Sequence, residues 1–381
     1  VVTPEFRQIR GNVTSASKYS VIIGRKKYLD FSGAAMAVGY NFIHARDILP
    51  PISYLVYHNR YTERLISKLK EMSSFKNVAF STSGTEACDA ALEMNYGNAL
   101  ASFEGSYHGL DFITNAVSNG EGIDFHNRIV HLKFPNSRMD DSTAISINEK
   151  ILRKASRHFS LERGAIIVEL IQSDGGMNVM SSNFADALKD WLNEYSMRLI
   201  VDEVYTALGR SGELFLSKKY RFKADYICLG KALGAGLPLG AVLSNKEYPL
   251  FRNNLISMQA ATMFTAAVAL KVLGKVTEER ISYVRRMGKY ILDALSEIRN
   301  NRILEVRGKG FMIGVELVNH SGVPDPKYAL YVREKAARKG VVCTLTGPSN
   351  NVLKITPPIT IPEGMLEKGI SIISDVLREK D

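Results

Sequence analysis

Apolar runs that close on a charged residue recur along this chain. Leu199-Ile200-Val201 ends at Asp202, Tyr226-Ile227-Cys228-Leu229 ends at Gly230-Lys231, and Ala165-Ile166-Ile167-Val168 ends at Glu169. Runs this short and this apolar predict buried strands. Residues 184–195 carry Phe184, Leu188, Trp191, Leu192 and Tyr195 at helical spacing, so strand, helix and strand alternate. That alternation predicts a largely parallel sheet with right-handed crossovers. Val78-Ala79-Phe80 is a further short strand leading into a helix that runs to Met94, and Ser83 and Glu86 have the spacing of a capping box at its start. Residues 61–72 form an amphipathic helix with Leu65, Ile66, Leu69 and Met72 inward, and 239–243 form a strand that can run antiparallel.

The two ends of the chain have a different texture. Residues 19–31 read as an edge hairpin turning at Gly24-Arg25-Lys26-Lys27, too small to fold alone. A helix rich in alanine begins near Thr262. From about Thr277 come a long helix to Arg299, a strand at 310–317, a helix at 327–338 closed by Gly340, a strand at 352–355 and a helix at 365–377. This order predicts a small α+β domain. The expected division is an N-terminal segment 1–45 contributing to the small domain, a large domain 46–276 and a small domain 277–381. No repeat, low-complexity tract or flexible linker separates them, so the boundary is expected to be a hinge between packed units.

Composition narrows the class. At 381 residues, 45% hydrophobic and 23% charged, the chain has the make-up of a soluble globular protein with ample core. Cys88, Cys228 and Cys343 lie in apolar or helical contexts without CxxC spacing, which favours reduced core thiols over disulfides or a metal site. No run approaches a membrane span and the polar opening VVTPEFRQIRGNV does not read as a signal peptide, so a cytoplasmic setting is expected. The net charge of +10 is spread along the chain and mixed with acids. Its densest cluster, at 218–223, is read as a solvated connecting loop rather than a nucleic-acid surface. Excess positive charge also steers phosphorylated or carboxylated ligands inward.

Two stretches carry candidate chemistry. In an open α/β sheet, side chains at the carboxyl ends of strands point into one crevice, which puts Asp202 and Lys231 together. A buried ion pair would look the same, but the glycines after Lys231 (Gly234, Gly236 and Gly240) let the backbone lie against something flat. An imine-forming lysine, with an acid to hold a ring nitrogen, is the arrangement pyridoxal phosphate requires. The second stretch is the helix start at Ser83, Gly84 and Thr85, whose amides and hydroxyls suit a phosphate. Tyr107 can cover the face of a planar cofactor, while His108 beside it, taken alone, is more often a structural histidine.

Taken in order, GRKKYLDFSG (24–33), SGTEA (83–87), FEGSYHG (103–109), VELIQSDGG (168–176), VDEVYTALGRSG (201–212), LGKALGAGLPLGAV (229–242), VRGKGFMIGVEL (306–317) and VLKITPPITI (352–361) resemble the class III, or subgroup II, aminotransferases. This family includes the ornithine, acetylornithine and 4-aminobutyrate aminotransferases. The resemblance implies an α/β fold of the fold-type-I, aspartate aminotransferase-like kind, with a mostly parallel seven-stranded sheet and a small α+β domain. It implies pyridoxal 5'-phosphate as cofactor, covalently held by Lys231, with Asp202 on the ring nitrogen, Val204 and Tyr107 on the two ring faces, and Ser83, Gly84 and Thr85 at the phosphate. His108, Glu169 and Tyr205 join the cofactor-binding set. Thr262, with Thr265 as the fallback, aligns with the threonine that reaches the neighbouring subunit's phosphate, so a homodimer with shared sites is implied. Small-molecule donors and acceptors are the expected partners, with neither nucleic acid nor membrane.

Departures from the family pattern are as informative. Tyr205 stands where glutamine is common, and the run after Thr262 is shortened. Asp174 and Lys354 replace the usual glutamate and arginine that select a substrate carboxylate. Lysine keeps the charge but loses the planar two-pronged fit. Lys354 pointing to solvent is the competing expectation. Ping-pong transamination is the implied activity; a racemase or aminomutase on the same scaffold, and more remotely a non-catalytic binding protein, are the alternatives.

Overall fold

The structure, a computed structural model, describes residues 13–33, 37–40, 48–95, 98–119, 128–248, 251 and 254–379. Its central sheet has seven strands in the spatial order Asn77–Ser81, Gly240–Ser244, Tyr226–Leu229, Arg198–Asp202, Ala165–Glu169, Leu100–Phe103 and Ile129–Leu132. Gly240–Ser244 runs antiparallel to both its neighbours, and the remaining pairs are parallel. The strands ending at Glu169 and Leu229 are buried throughout, as a sheet covered on both faces requires. Alternation along Arg198–Asp202 sorts its side chains. Ile200 packs in the cluster that holds Cys88 and Ala91 of the Gly84–Glu93 helix, whereas Leu199 and Val201 pack in the one that holds Phe184 and Leu188 of the Ser182–Glu194 helix.

Helix starts follow their caps. Asn59 caps Arg60–Ser73, Ser83 caps Gly84–Glu93, Ser181 caps Ser182–Glu194, Thr277 caps Glu278–Ser296 and Asp325 caps Pro326–Lys339, each side chain accepting a first-turn N–H. The N-terminal hairpin pairs Ser20–Ile23 with Lys26–Asp30; Val13–Ser17 extends it on one side and Val341–Val342, parallel to Lys26–Asp30, on the other. A separate antiparallel sheet orders Ile303–Lys309, Met312–Leu317, Val352–Ile355 and Thr344–Thr346. Cys88, Cys228 and Cys343 are free and buried. Among the described residues, no helix is long and apolar enough to cross a membrane.

The sequence reading needs correction in places. The cluster at 218–223 is not simply a loop, since a short helix, Leu216–Lys219, precedes Tyr220. Its start is made by buried Glu203, whose carboxylate accepts the Leu216 and Ser217 N–H groups at 2.8 Å each. Tyr220 is buried and its hydroxyl donates to the Met180 carbonyl, so only the charged side chains around it form a solvated face. Gly240 does not make room for a flat ligand. A Cβ there would lie 2.2 Å from the Ser83 carbonyl oxygen, so this glycine lets the strand pass against the turn that starts the Gly84–Glu93 helix.

Gly240→Ala is therefore expected to lower stability by about 1–3 kcal/mol, because backbone must give way to one methyl. Thermal unfolding checks this: the midpoint should fall by a few degrees, while Gly364→Ala, with nothing within 4 Å of the added carbon, should leave it unchanged or slightly higher.

Candidate active site

Asp202 closes the Arg198–Asp202 strand and is 5% exposed. Its register partners on the flanking strands are Glu169 and Cys228, so the three residues form a row across the carboxyl ends of the sheet. One Asp202 oxygen accepts the Val204 N–H at 3.0 Å. The other lies 2.8 Å from His108 Nδ1, and a carboxylate can only accept, so that contact assigns the ring proton to Nδ1. The His108 backbone N–H donates to Ser118 Oγ at 2.9 Å, and its Nε2 has no partner among the described residues. His108 is thus held directly against Asp202.

Glu169 accepts the Tyr107 N–H at 2.9 Å and the Ser173 N–H at 3.4 Å. Burial, followed by the charge of Asp202, pushes its pKa up to about 8; the Tyr107 N–H and Lys231 act in the opposite direction. Two acids on neighbouring strands cannot both keep a full charge cheaply, and the charge of Asp202 is one of the causes that raise Glu169.

The wall of the site is the helix start. Ser83 Oγ accepts the Glu86 N–H at 3.1 Å, but the return arm of the expected capping box lands one residue early: the Glu86 carboxylate takes the Thr82 N–H at 2.8 Å. The cap leaves the Gly84 and Thr85 N–H groups at the helix start for an anion. A Cβ on Gly84 would meet Val204 Cγ1 at 2.6 Å, and one on Gly230 would meet the Gly84 Cα at 2.9 Å. The turn bearing the lysine is therefore in backbone contact with the helix start, and the Val204 side chain packs directly against both. These residues form a cradle for a flat, phosphorylated ring, and the Tyr205 hydroxyl, without a partner among the described residues, adds a polar atom to it. The set fits pyridoxal 5'-phosphate.

Lys231 begins the short 3₁₀ turn Lys231–Gly234 with a φ of 38°, in the left-handed region. Such a backbone costs of order 1–3 kcal/mol in a residue other than glycine and persists only where its surroundings fix it. The Lys231 Nζ sits 4.8 Å from the centroid of the buried Tyr205 ring, the Lys354 Nζ 4.9 Å and the Arg210 guanidinium carbon 5.9 Å. Lys354 is turned inward: its Nζ donates to Ser173 Oγ at 2.8 Å, lies 3.9 Å from Asp174, and its side chain is 12% exposed. Thr262 is buried at the cap of the Met263–Leu273 helix, 3.2 Å from the Thr265 hydroxyl. Tyr107 and Asp174 open onto a cleft of about 910 Å³ that extends to Arg138, Arg307 and Glu316; Lys231 and Asp202 lie beside this cleft rather than on its wall.

Several participants were not visible beforehand. Ser173 holds Lys354, buried Arg210 ties the site to the Gly33 and Pro357 carbonyls, and the Cys88 sulfur sits within 4.8 Å of an Asp202 oxygen. The signal for Ser173 and Arg210 was their place inside the VELIQSDGG and VDEVYTALGRSG stretches; Cys88 gave none beyond an apolar helix face.

The chain is similar to known proteins along nearly its whole length. The sequence profile of the family Aminotransferase class-III matches residues 26–377. An alanine/serine racemase of Pyrococcus horikoshii is 27% identical over 389 residues, spanning 92% of this chain and 82% of that protein. An acetylornithine aminotransferase of Lactococcus lactis is 29% identical over 373 residues, spanning 92% of each. In fold, the chain is similar to a PMP-bound form of an aminotransferase from Vibrio fluvialis, with a TM-score of 0.83 at 22% identity, covering 97% of this chain and 92% of that one.

Glu169 has a pH signature. Folding raises its pKa from the ordinary 4.5 to about 8, so the stability it contributes is fully present below pH 4.5 and is lost as pH rises through 8. Glu169→Gln keeps an acceptor for Tyr107 and removes the acid. In cofactor-free protein, the unfolding free energy of wild type relative to Glu169→Gln should fall steadily over that interval, by an amount on the order of a few kcal/mol. A pH-independent difference would contradict the assignment.

Proposed function

The chain belongs to the class-III aminotransferases, and from that premise we propose that it carries an amino group from an ω-amino acid or amine, of the 4-aminobutyrate, acetylornithine or ornithine type, to a 2-oxo acid by ping-pong exchange. It is an enzyme dependent on pyridoxal 5'-phosphate. When bound, the cofactor supplies an electron sink for the pair released at the donor's carbon. The observation that carries the reading is the packing of Gly230, next to Lys231, and of Val204, two residues after Asp202, against Gly84 at the helix start, with Lys231 and Lys354 over the same Tyr205 ring.

Each residue then has a task. Lys231 holds the cofactor and moves the proton at the donor's carbon, its strained backbone fixing where the amine points. Asp202, itself oriented by the Val204 N–H and His108, holds the proton on the ring nitrogen. Gly84 and Thr85 amides with the Ser83 and Thr85 hydroxyls take the phosphate, Val204 and Tyr107 cover the ring faces, and the Tyr205 hydroxyl donates to the phenolic oxygen. Lys354 receives a substrate carboxylate; when the other end of a diamine or ω-amino acid enters, Asp174 neutralises it. A point charge without the arginine fork selects that carboxylate less sharply.

A second copy completes the site in this proposal. Ile48, Leu55, Val56, Tyr57 and Met258 are all exposed, and the 53–58 stretch is tied to the 258–263 segment through Ser53 Oγ and the Met258 carbonyl at 2.7 Å. An apolar face beside Thr262 supports an isologous dimer in which Thr262, or Thr265, reaches the other copy's phosphate. The division at residues 45 and 276, and a cytoplasmic location, belong to the same proposal. Racemisation is the second reading, favoured by the 27% identity to the alanine/serine racemase.

Donor screens separate the two. With 2-oxoglutarate or pyruvate as acceptor, aminated acceptor should form in step with consumption of an ω-amino donor. Inversion of an amino acid without aminated acceptor would replace transfer with racemisation. Lys354→Ala should raise KM for α-carboxylate donors by about tenfold, the loss of one charge-assisted hydrogen bond, with kcat less affected. An unchanged KM for all of them would reject the carboxylate role.

A further inference from the structure

Arg210 is a buried cation whose hydrogen bonds, among the described residues, reach carbonyl oxygens and no carboxylate. It is 1% exposed, in the turn that follows Tyr205. Its Nη1 donates to the Pro357 carbonyl and its Nη2 to the Gly33 carbonyl at 3.1 Å, while Nε has no partner among the described residues. The guanidinium carbon lies 5.9 Å from the centroid of the Tyr205 ring. For stability alone, a well-packed apolar side chain would serve as well as a buried charge. What the guanidinium adds is a planar fork that joins two distant segments of the chain.

The Pro357 end of that fork bears on the site. Pro357 and Pro358 have no N–H to donate, so this turn can be held only through its carbonyls. On either side of it, the Thr356 N–H donates to the Phe31 carbonyl and the Ile359 N–H to the Ala37 carbonyl, each at 2.7 Å. The Pro358 carbonyl accepts the Ile361 N–H at 3.0 Å, and Arg210 takes the Pro357 carbonyl. The strand Val352–Ile355 leads into the same turn. On it Lys354 directs its amine to Ser173 Oγ, 4.9 Å from the Tyr205 centroid that Arg210 also faces.

We propose that Arg210 is a positioning residue for Lys354: its fork ties the Pro357-Pro358 turn to the loop that bears Tyr205, and so holds the Lys354 amine where a donor's carboxylate is received. The consequence for substrate rests on the carboxylate reading of Lys354 above; the tie itself does not. Lysine in place of Arg210 keeps the charge but, as a single ammonium, loses the two-pronged grip on both carbonyls. A general structural role predicts something different, because loosened packing would act on every donor and on Lys231 and Lys354 alike.

Two measurements test this. In cofactor-free protein, acetylation by acetic anhydride, read by peptide mass mapping, should be severalfold faster at Lys354 in Arg210→Lys than in wild type. Lys231, over the same ring but on a turn that Arg210 does not hydrogen-bond, should keep its rate. Guanidinium chloride at millimolar concentration should return the Lys354 rate of Arg210→Ala toward wild type. In the loaded enzyme, Arg210→Lys should raise KM for carboxylate-bearing donors by up to about tenfold and leave KM for a plain alkylamine of the same length unchanged. In a Lys354→Ala background it should add nothing further. Lys354 and Lys231 rates that rise together, a Lys354 rate that does not change, or loss of fold in both Arg210 variants would overturn the tie. A KM that rises alike for both kinds of donor, or that adds to Lys354→Ala, would overturn its consequence. A faster Lys354 with KM unmoved for every donor would uphold the tie and reject the carboxylate reading instead.

Discussion

A carboxylate buried at the end of a parallel strand has to be met from several directions, and Asp202 organises this structure because it is. Burying a charge without partners costs far more than a domain's net stability can absorb, so the backbone of Val204 and the ring of His108 are brought against it. Those partners come from separate loops beyond the sheet. Glu169, in register on the next strand, answers by holding its proton.

The second constraint is distance of approach. The helix start, Val204 and the turn before Lys231 come together closely enough that a single Cβ on Gly84 or Gly230 would have nowhere to go. That contact sets the helix-start amides, the Val204 side chain and the lysine in one frame. Tyr205 closes it from the other side, with the Lys231, Lys354 and Arg210 cations around its ring. Burial strengthens such cation–π contacts, which help to hold these side chains in place.

Much of this was legible in the chain. Fully buried strands show as uninterrupted apolar runs, so the strands ending at Asp202, Leu229 and Glu169 could be placed within a residue of their ends. Ile303–Lys309 was not, because its side chains are mostly half-buried and ILEVRGK has no clean alternation. Side-chain direction was harder than element position. Lys354 faces Ser173, 181 residues away in the chain, and no local pattern reports such a contact. The capping spacing of Ser83 and Glu86 marked the helix start correctly, but not that the Glu86 carboxylate reaches Thr82 instead of Ser83. Glu203 looked like one acid among many, although its buried carboxylate forms the start of Leu216–Lys219.

The account depends on one lysine being the attachment point for the cofactor, opposite Asp202. Borohydride reduction of the holoenzyme, followed by proteolysis and mass mapping of the cofactor-bearing peptide, tests this most directly. A single pyridoxyl group on Lys231 is the predicted result. The label on Lys354 or any other lysine, or a protein that stays colourless and unlabelled when supplied with pyridoxal phosphate, would contradict it.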